Sequence, residues 1–200
     1  MNIQVYNLEE HQDAIGQLLE FQGTTLSAQF LADYNAGKTK ILNSTSVFRK
    51  MVEPAPGTQQ LIDADTRKKV GVSSFSETVL SDSEVLIIDR IRLNLDRHKD
   101  AGKEALLAYD KVISSSPAFR NADFRMRQEG KIVFDSSLSE LSNKYTGRTL
   151  RDDYIYLTNP IVLVGGSDIK FELEFAPGAT KHATQKEYLE FIFAGQKVTR

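Results

Sequence analysis

The clearest signal in this chain is an alternation of apolar and polar positions that runs from about Val70 to the C-terminus. Ile169, Phe171, Leu173 and Phe175 fall on one side of an extended chain, and Asp168, Lys170, Glu172 and Glu174 on the other. A period of two with one greasy face predicts an antiparallel strand, packed on a core on one side and wet on the other. Val70–Ser76 reads as a first strand. Glu84–Leu95 reads as a long one, with Val85, Ile87, Ile91, Leu93 and Leu95 on one face. Asp89 falls among them, which predicts a bulge or a buried hydrogen bond there. Phe124–Phe134 has the pattern of a hairpin turning at Gln128-Glu129-Gly130-Lys131, with Gly130 at a position requiring positive φ. Tyr154–Leu157 is a strand stopped by Asn159-Pro160, and Gly165-Gly166 reads as a hairpin turn. The last strand runs from Glu187 to about Val198.

Two further stretches have helical spacing. Leu106, Leu107, Tyr109 and Ile113 predict a helical insertion over Gly102–Ile113, and Leu138 and Leu141 a short helix within Ser136–Lys144. About seven or eight strands, joined by a mixture of tight turns and long connections, suit a mainly β fold: an antiparallel two-sheet sandwich of jelly-roll type.

The first third has a different texture. Asn7 and Glu10 have the spacing of a capping box. Leu8, Ile15, Leu18 and Leu19 follow at helical intervals, and Gly23 marks a stop. Leu26, Phe30, Leu31 and Tyr34 predict a second helix ending near Asn35-Ala36-Gly37. The strongest breaker, Glu53-Pro54-Ala55-Pro56-Gly57, divides an N-terminal helical and extended arm (1–53) from the β-domain (54–200). The apolar stripes of the arm need cover from the sandwich, from each other or from a neighbouring subunit. Leu8, Ile15, Leu18 and Phe30 are the interface candidates on it.

Composition narrows the chemistry. The 200 residues are 40% hydrophobic and 26% charged, enough for a substantial core, and the net charge is -2. A free-standing nucleic-acid binder carries a basic surface, which this balance argues against. With no cysteine, disulfides and thiolate metal sites are impossible. No apolar run approaches the ~20 residues of a membrane span. The start, Met1–Tyr6, lacks the basic and apolar regions of a secretory signal, which predicts synthesis in a cytoplasm.

A search for catalytic furniture turns up little. His11, His98 and His182 are far apart, without partners at metal-binding spacing. Asp152-Asp153 and the Asp63/Asp65 pair have the character of solvated carboxylates. There is no Gly-x-Ser-x-Gly elbow and no glycine-rich phosphate loop. The expectation is therefore no enzyme, no metal and no cofactor. Arg67-Lys68-Lys69 is the densest basic run, a solvated loop or edge guard in one reading and a phosphate contact in the other. Arg125 and Arg127 share one strand face and are candidates for a subunit contact.

Taken together, Ser74–Leu80 followed by Val85–Leu93, then Gly130–Phe134 and Leu157–Leu163, resemble the strand succession of jelly-roll capsid proteins of bacteriophages. The resemblance spans roughly residues 70–198. It implies a structural protein that assembles with copies of itself into a virion shell, with other virion proteins as further partners. The arm would reach along the shell or onto a neighbour. Its charges are balanced, Lys38, Lys40, Arg49 and Lys50 against Glu9, Glu10, Asp13 and Glu20, which leaves direct genome contact open. The alternative is a carbohydrate- or receptor-binding sandwich with a site at its loop end, near Asn143, Tyr145, Asn159 and the loop Pro177–Gln185.

Overall fold

The structure, a computed structural model, describes residues 13, 15–19, 26–142 and 154–200. The chain is mainly β. A helix α1 (Ala28–Asn35) precedes eight strands: β1 (Lys40–Val52), β2 (Gly57–Gln60), β3 (Glu84–His98), β4 (Ala122–Gln128), β5 (Lys131–Ser137), β6 (Ile155–Val164), β7 (Ile169–Phe175) and β8 (Lys186–Thr199). Short helical turns occupy Ile113–Ser115, Pro117–Arg120 and Leu138–Leu141. The strands form two antiparallel four-stranded sheets, in the orders β1-β8-β3-β6 and β2-β7-β4-β5, packed face to face.

The alternation along β7 places Ile169, Phe171, Leu173 and Phe175 in the space between the sheets. They meet Leu189, Phe191 and Phe193 of β8 and Leu93 and Leu95 of β3. Phe171 lies edge-on to Phe75 (5.2 Å between centroids) and to Phe193 (5.4 Å), and Phe124 packs 4.4 Å from Phe191. Each such ring contributes about 1.5–3 kcal/mol by burial, and edge-to-face pairs add ~0.5–1.5 kcal/mol. The β4–β5 turn falls where the sequence predicts it. Glu129 (φ 51°) and Gly130 (φ 74°) both have positive φ, as a two-residue turn matched to strand twist requires.

A second apolar cluster lies on the outside of the first sheet. Residues 15–19 are helical, and Ile15 and Leu19, with Leu26 and Phe30, cover Val85, Ile87, Val162, Val164 and Val198. Ser27 caps α1 by accepting the Phe30 N–H at 3.1 Å. The stripe on these helical residues is thus covered by the sandwich of the same chain.

Several expectations are corrected. The boundary at 53/54 does not mark the edge of the sandwich: β1 lies before it and pairs with β8 from Lys40↔Thr199 to Val52↔Glu187. Val70–Ser76 is not a strand but a tight loop closed by Lys69 and Ser73, which exchange both backbone hydrogen bonds at 2.9 Å. Gly102–Ile113 holds no α-helix. It is a strap of turns held to β3 by the Leu95–Lys111 bridge. Gly165-Gly166 joins β6 of one sheet to β7 of the other and is no hairpin. The chain stays extended through Asn159-Pro160, yet its ladder to β3 is interrupted between Tyr156 and Ile161. Proline has no N–H to give a ladder.

Asp89 does mark a bulge, with the pairing of β3 shifting between Ile88 and Arg90 on both sides. One extra residue turns every later side chain to the opposite face. Leu86 and Ile88 therefore point inward before the bulge, and Ile91, Leu93 and Leu95 after it. Val85 and Ile87 face the outer helices instead.

Candidate functional site

Beyond the bulge, the outer face of the first sheet carries charge. Glu190 of β8 is only 2% exposed and lies opposite Arg49 of β1 and Asn94 of β3. It accepts hydrogen bonds from Arg49 Nε (2.8 Å) and Nη2 (2.5 Å) and from Asn94 Nδ2 (3.1 Å), with Arg92 Nη2 at 3.7 Å. The Arg49 guanidinium stands 4.8 Å from the centroid of the Tyr109 ring and donates Nη1–H to the Gly71 carbonyl at 2.7 Å. One side chain thus ties together two strands and two loops.

Tyr109 closes this cluster from above. Its φ of 53° is unusual for a bulky residue. Its N–H donates to Asp96 Oδ2 (3.0 Å) and its hydroxyl to the Glu104 carbonyl (2.8 Å), which hold that conformation. Burial pushes the Tyr109 hydroxyl well above its ordinary pKa. Asp96, 4% exposed, also receives Lys111 Nζ at 2.5 Å and the Arg97 N–H at 2.7 Å. Burial by itself would raise its pKa. The hydrogen bonds from Lys111, Arg97 and Tyr109 outweigh burial and hold the carboxyl below the usual range.

A group with a depressed folded-state pKa contributes stability that is present above the unfolded value, ~3.9, and lost as pH falls through the folded one. Asp96→Asn is expected to lower stability by about 1–3 kcal/mol near neutrality, since Lys111 loses its carboxylate at 2.5 Å and keeps only the exposed Asp110 at 3.3 Å. It is also expected to flatten the acid side of the stability profile, read by urea titrations at a series of pH values. A variant whose acid limb is as steep as that of the parent chain would show that Asp96 does not set it.

At one end of the sandwich lies a cleft of about 370 Å³, bordered by residues 115–121, the loop 176–182 and the Arg97–Glu187 pair. Arg97 Nε and Nη2 both donate to Glu187 Oε1, at 3.0 and 2.9 Å, and Nη2 also reaches the Ser115 carbonyl. Lys181 and His182 stand at the rim, and His182 Nδ1 accepts the Gln185 N–H at 3.2 Å. The cleft therefore offers hydrogen-bonding groups without an isolated charge at its floor. No group of three His, Cys, Asp or Glu side chains that could hold a metal occurs among the described residues.

The residues singled out from sequence lie apart. Ile15 and Phe30 are buried under the first sheet's outer face, with Leu18 packed against the same cluster; Leu8 lies outside the described residues, as do the Asn7/Glu10 cap, Gly23, His11, Asn143, Tyr145 and Asp152-Asp153. Arg125 and Arg127 are on the outer face of the second sheet. Arg125 bridges Asp135 (3.1 Å) and Glu174 (3.2 Å), and Arg127 pairs with Glu172 (2.9 Å). Such opposite-charge ladders across strands contribute ~0.2–1 kcal/mol each. Arg67 is engaged with the Ala64 carbonyl and with Glu77, while Lys68 and Lys69 are exposed. Asn159 is exposed in β6, away from the residues of the cleft; Pro177 to His182 line it. Glu190 and the Tyr109 strap escaped the sequence reading. The signal for Glu190 was its place inside the apolar run Tyr188–Ala194, where an isolated carboxylate needs a buried partner.

Comparison of the chain with models of protein families, with curated proteins and with solved structures finds no match. Among the described residues no helix is long and apolar enough to cross a membrane.

Proposed function

We propose that this chain is a structural subunit of a viral shell, a jelly roll that works by assembling with copies of itself and has no catalytic role. The observation that supports this reading is the pairing of the strands. β1 runs beside β8, β2 beside β7, β3 beside β6 and β4 beside β5, all antiparallel. This pairing order fits one long hairpin rolled into two sheets and so supports a jelly-roll reading, the arrangement of viral capsid and lectin domains. Capsid assembly is favoured over ligand binding by the surfaces left for contact. The first sheet's outer face is largely covered by its own helices and strap, and the second carries a self-compensated ion-pair ladder. Loops and sheet edges remain as contact surfaces for lateral tiling, and the virion would be the protein's location.

Negative-stain electron microscopy and light scattering on the purified full-length chain test this. Closed shells, rings or regular sheets are expected. A chain that stays monomeric over a wide concentration range would count against assembly. The cleft beside Lys181 and His182 favours one other reading, a carbohydrate- or receptor-binding module. Glycan capture abolished by Lys181→Ala with His182→Ala, from a chain that does not assemble, would establish it.

A further inference from the structure

We propose that the adjoining loops 67–72 and 103–107 form a docking tip for an anionic lipid surface. Val70 is 100% exposed and Leu106 76% exposed, the two most exposed large apolar side chains among the described residues. They project from touching loops: a Cβ placed on Gly71 would stand 3.8 Å from the Ala105 Cβ. Arg67, Lys68 and Lys69 directly precede Val70 in the chain, and Lys103, followed by Glu104, lies three residues before Leu106. Arg67 is 3.5 Å from Glu77, whereas neither Lys68 nor Lys69 has an ion-pair partner among the described residues.

The exposure is built into the fold and is not the fraying of a slack loop. Three-residue closure between Lys69 and Ser73 shapes the first loop around Gly71 (φ 76°). Its backbone is fastened to β1 through Arg49 N–H to the Val72 carbonyl (2.8 Å), Ser74 N–H to the Val47 carbonyl (2.7 Å) and Arg49 Nη1 to the Gly71 carbonyl. The second loop is pinned from beneath by the Tyr109 hydroxyl on the Glu104 carbonyl and the Tyr188 hydroxyl on the Asp100 carbonyl (2.7 Å). Water-facing aliphatic side chains on braced loops contribute nothing to the core of this chain.

Aliphatic tips on loops that also carry the exposed Lys68 and Lys69 match the boundary of an anionic bilayer, where the apolar tips enter the acyl region and the ammonium groups meet headgroup phosphates. A nucleic acid would use the lysines, but its bases reward aromatic platforms, and the exposed tips here are aliphatic. Docking at this tip does not depend on whether the chain forms shells.

The test is co-sedimentation of the full-length chain with phosphatidylcholine vesicles that contain or lack phosphatidylglycerol. Binding is expected only with phosphatidylglycerol, falling about tenfold or more both in Val70→Asp/Leu106→Asp and in Lys68→Glu/Lys69→Glu. The substituted side chains are exposed, and an unchanged thermal melt confirms that the variants fold. Absence of binding to the anionic vesicles overturns the proposal. So does binding that the lysine changes abolish, the apolar changes leave intact and a short oligonucleotide competes away, which would identify a nucleic-acid contact instead.

Discussion

Gly195→Ala is expected to destabilise the fold by about 2–6 kcal/mol, a large part of the 5–15 kcal/mol that holds a domain together. Gly195 of β8 sits opposite the Asp89 bulge, with φ 155°. A Cβ there would lie 2.0 Å from the Ile87 carbonyl oxygen and 3.0 Å from the Asp89 nitrogen. Both are backbone atoms of a central strand and cannot swing away as a side-chain end could. Strain of φ/ψ contributes ~1–3 kcal/mol and overpacking a similar ~1–3 kcal/mol. The melting temperature is expected to fall by roughly 10–20 °C. Gly178→Ala is the control: its φ is 87°, but nothing stands within 4 Å of the new methyl group. Equal melting temperatures for the two variants would show that the close approach beside the bulge does not matter.

Glu190→Ala is the second large effect, about 3–5 kcal/mol in urea denaturation. Removing one member of a buried ion-pair cluster leaves the others without compensation. Here Arg49 would stay against the Tyr109 ring and Arg92 against the Tyr154 ring, with neither facing a carboxylate at this position. Glu190→Leu combined with Arg49→Met is expected to recover much of the loss, because an apolar pair of similar bulk needs no counter-charge. A loss below about 1 kcal/mol for Glu190→Ala would mean that water reaches the cluster and screens it. The strap over residues 99–112 is expected to loosen in the variant, since Arg49 orients both Tyr109 and the Gly71 carbonyl.

These two positions mark where local pattern ends and tertiary structure begins. The strands β3, β4, β5, β7 and β8, the 129–130 turn and the helix ending at Asn35 are legible in the chain itself. Alternation, helical spacing and positive-φ turn residues are properties of a few neighbouring residues. The bulge at Asp89 is legible as well, because a carboxylate among isoleucines breaks the alternation. Strand β1 is not. Lys40–Val52 is rich in Ser, Thr and Asn, and only Phe48 and Val52 are buried in it, so its strand character rests on a partner some 140 residues away. The strap misleads for the opposite reason. Leu106, Leu107, Tyr109 and Ile113 are spaced as in a helix, yet hydrogen bonds to Asp96 and the carbonyl of Glu104 hold Tyr109 left-handed, and Leu106 is left in water.

By itself, the sequence determined that this protein is built of antiparallel strands with one apolar face each, and that its N-terminal helices would need cover. Tertiary structure alone decided which strands lie side by side, that the cover is the chain's own first sheet, and that Glu190, Arg49 and Tyr109 meet. The reason is physical. Periodicity fixes which way a side chain points relative to its neighbours. The choice of pairing partner depends on closing long loops around a shared core, and a single bulge reverses every face that follows.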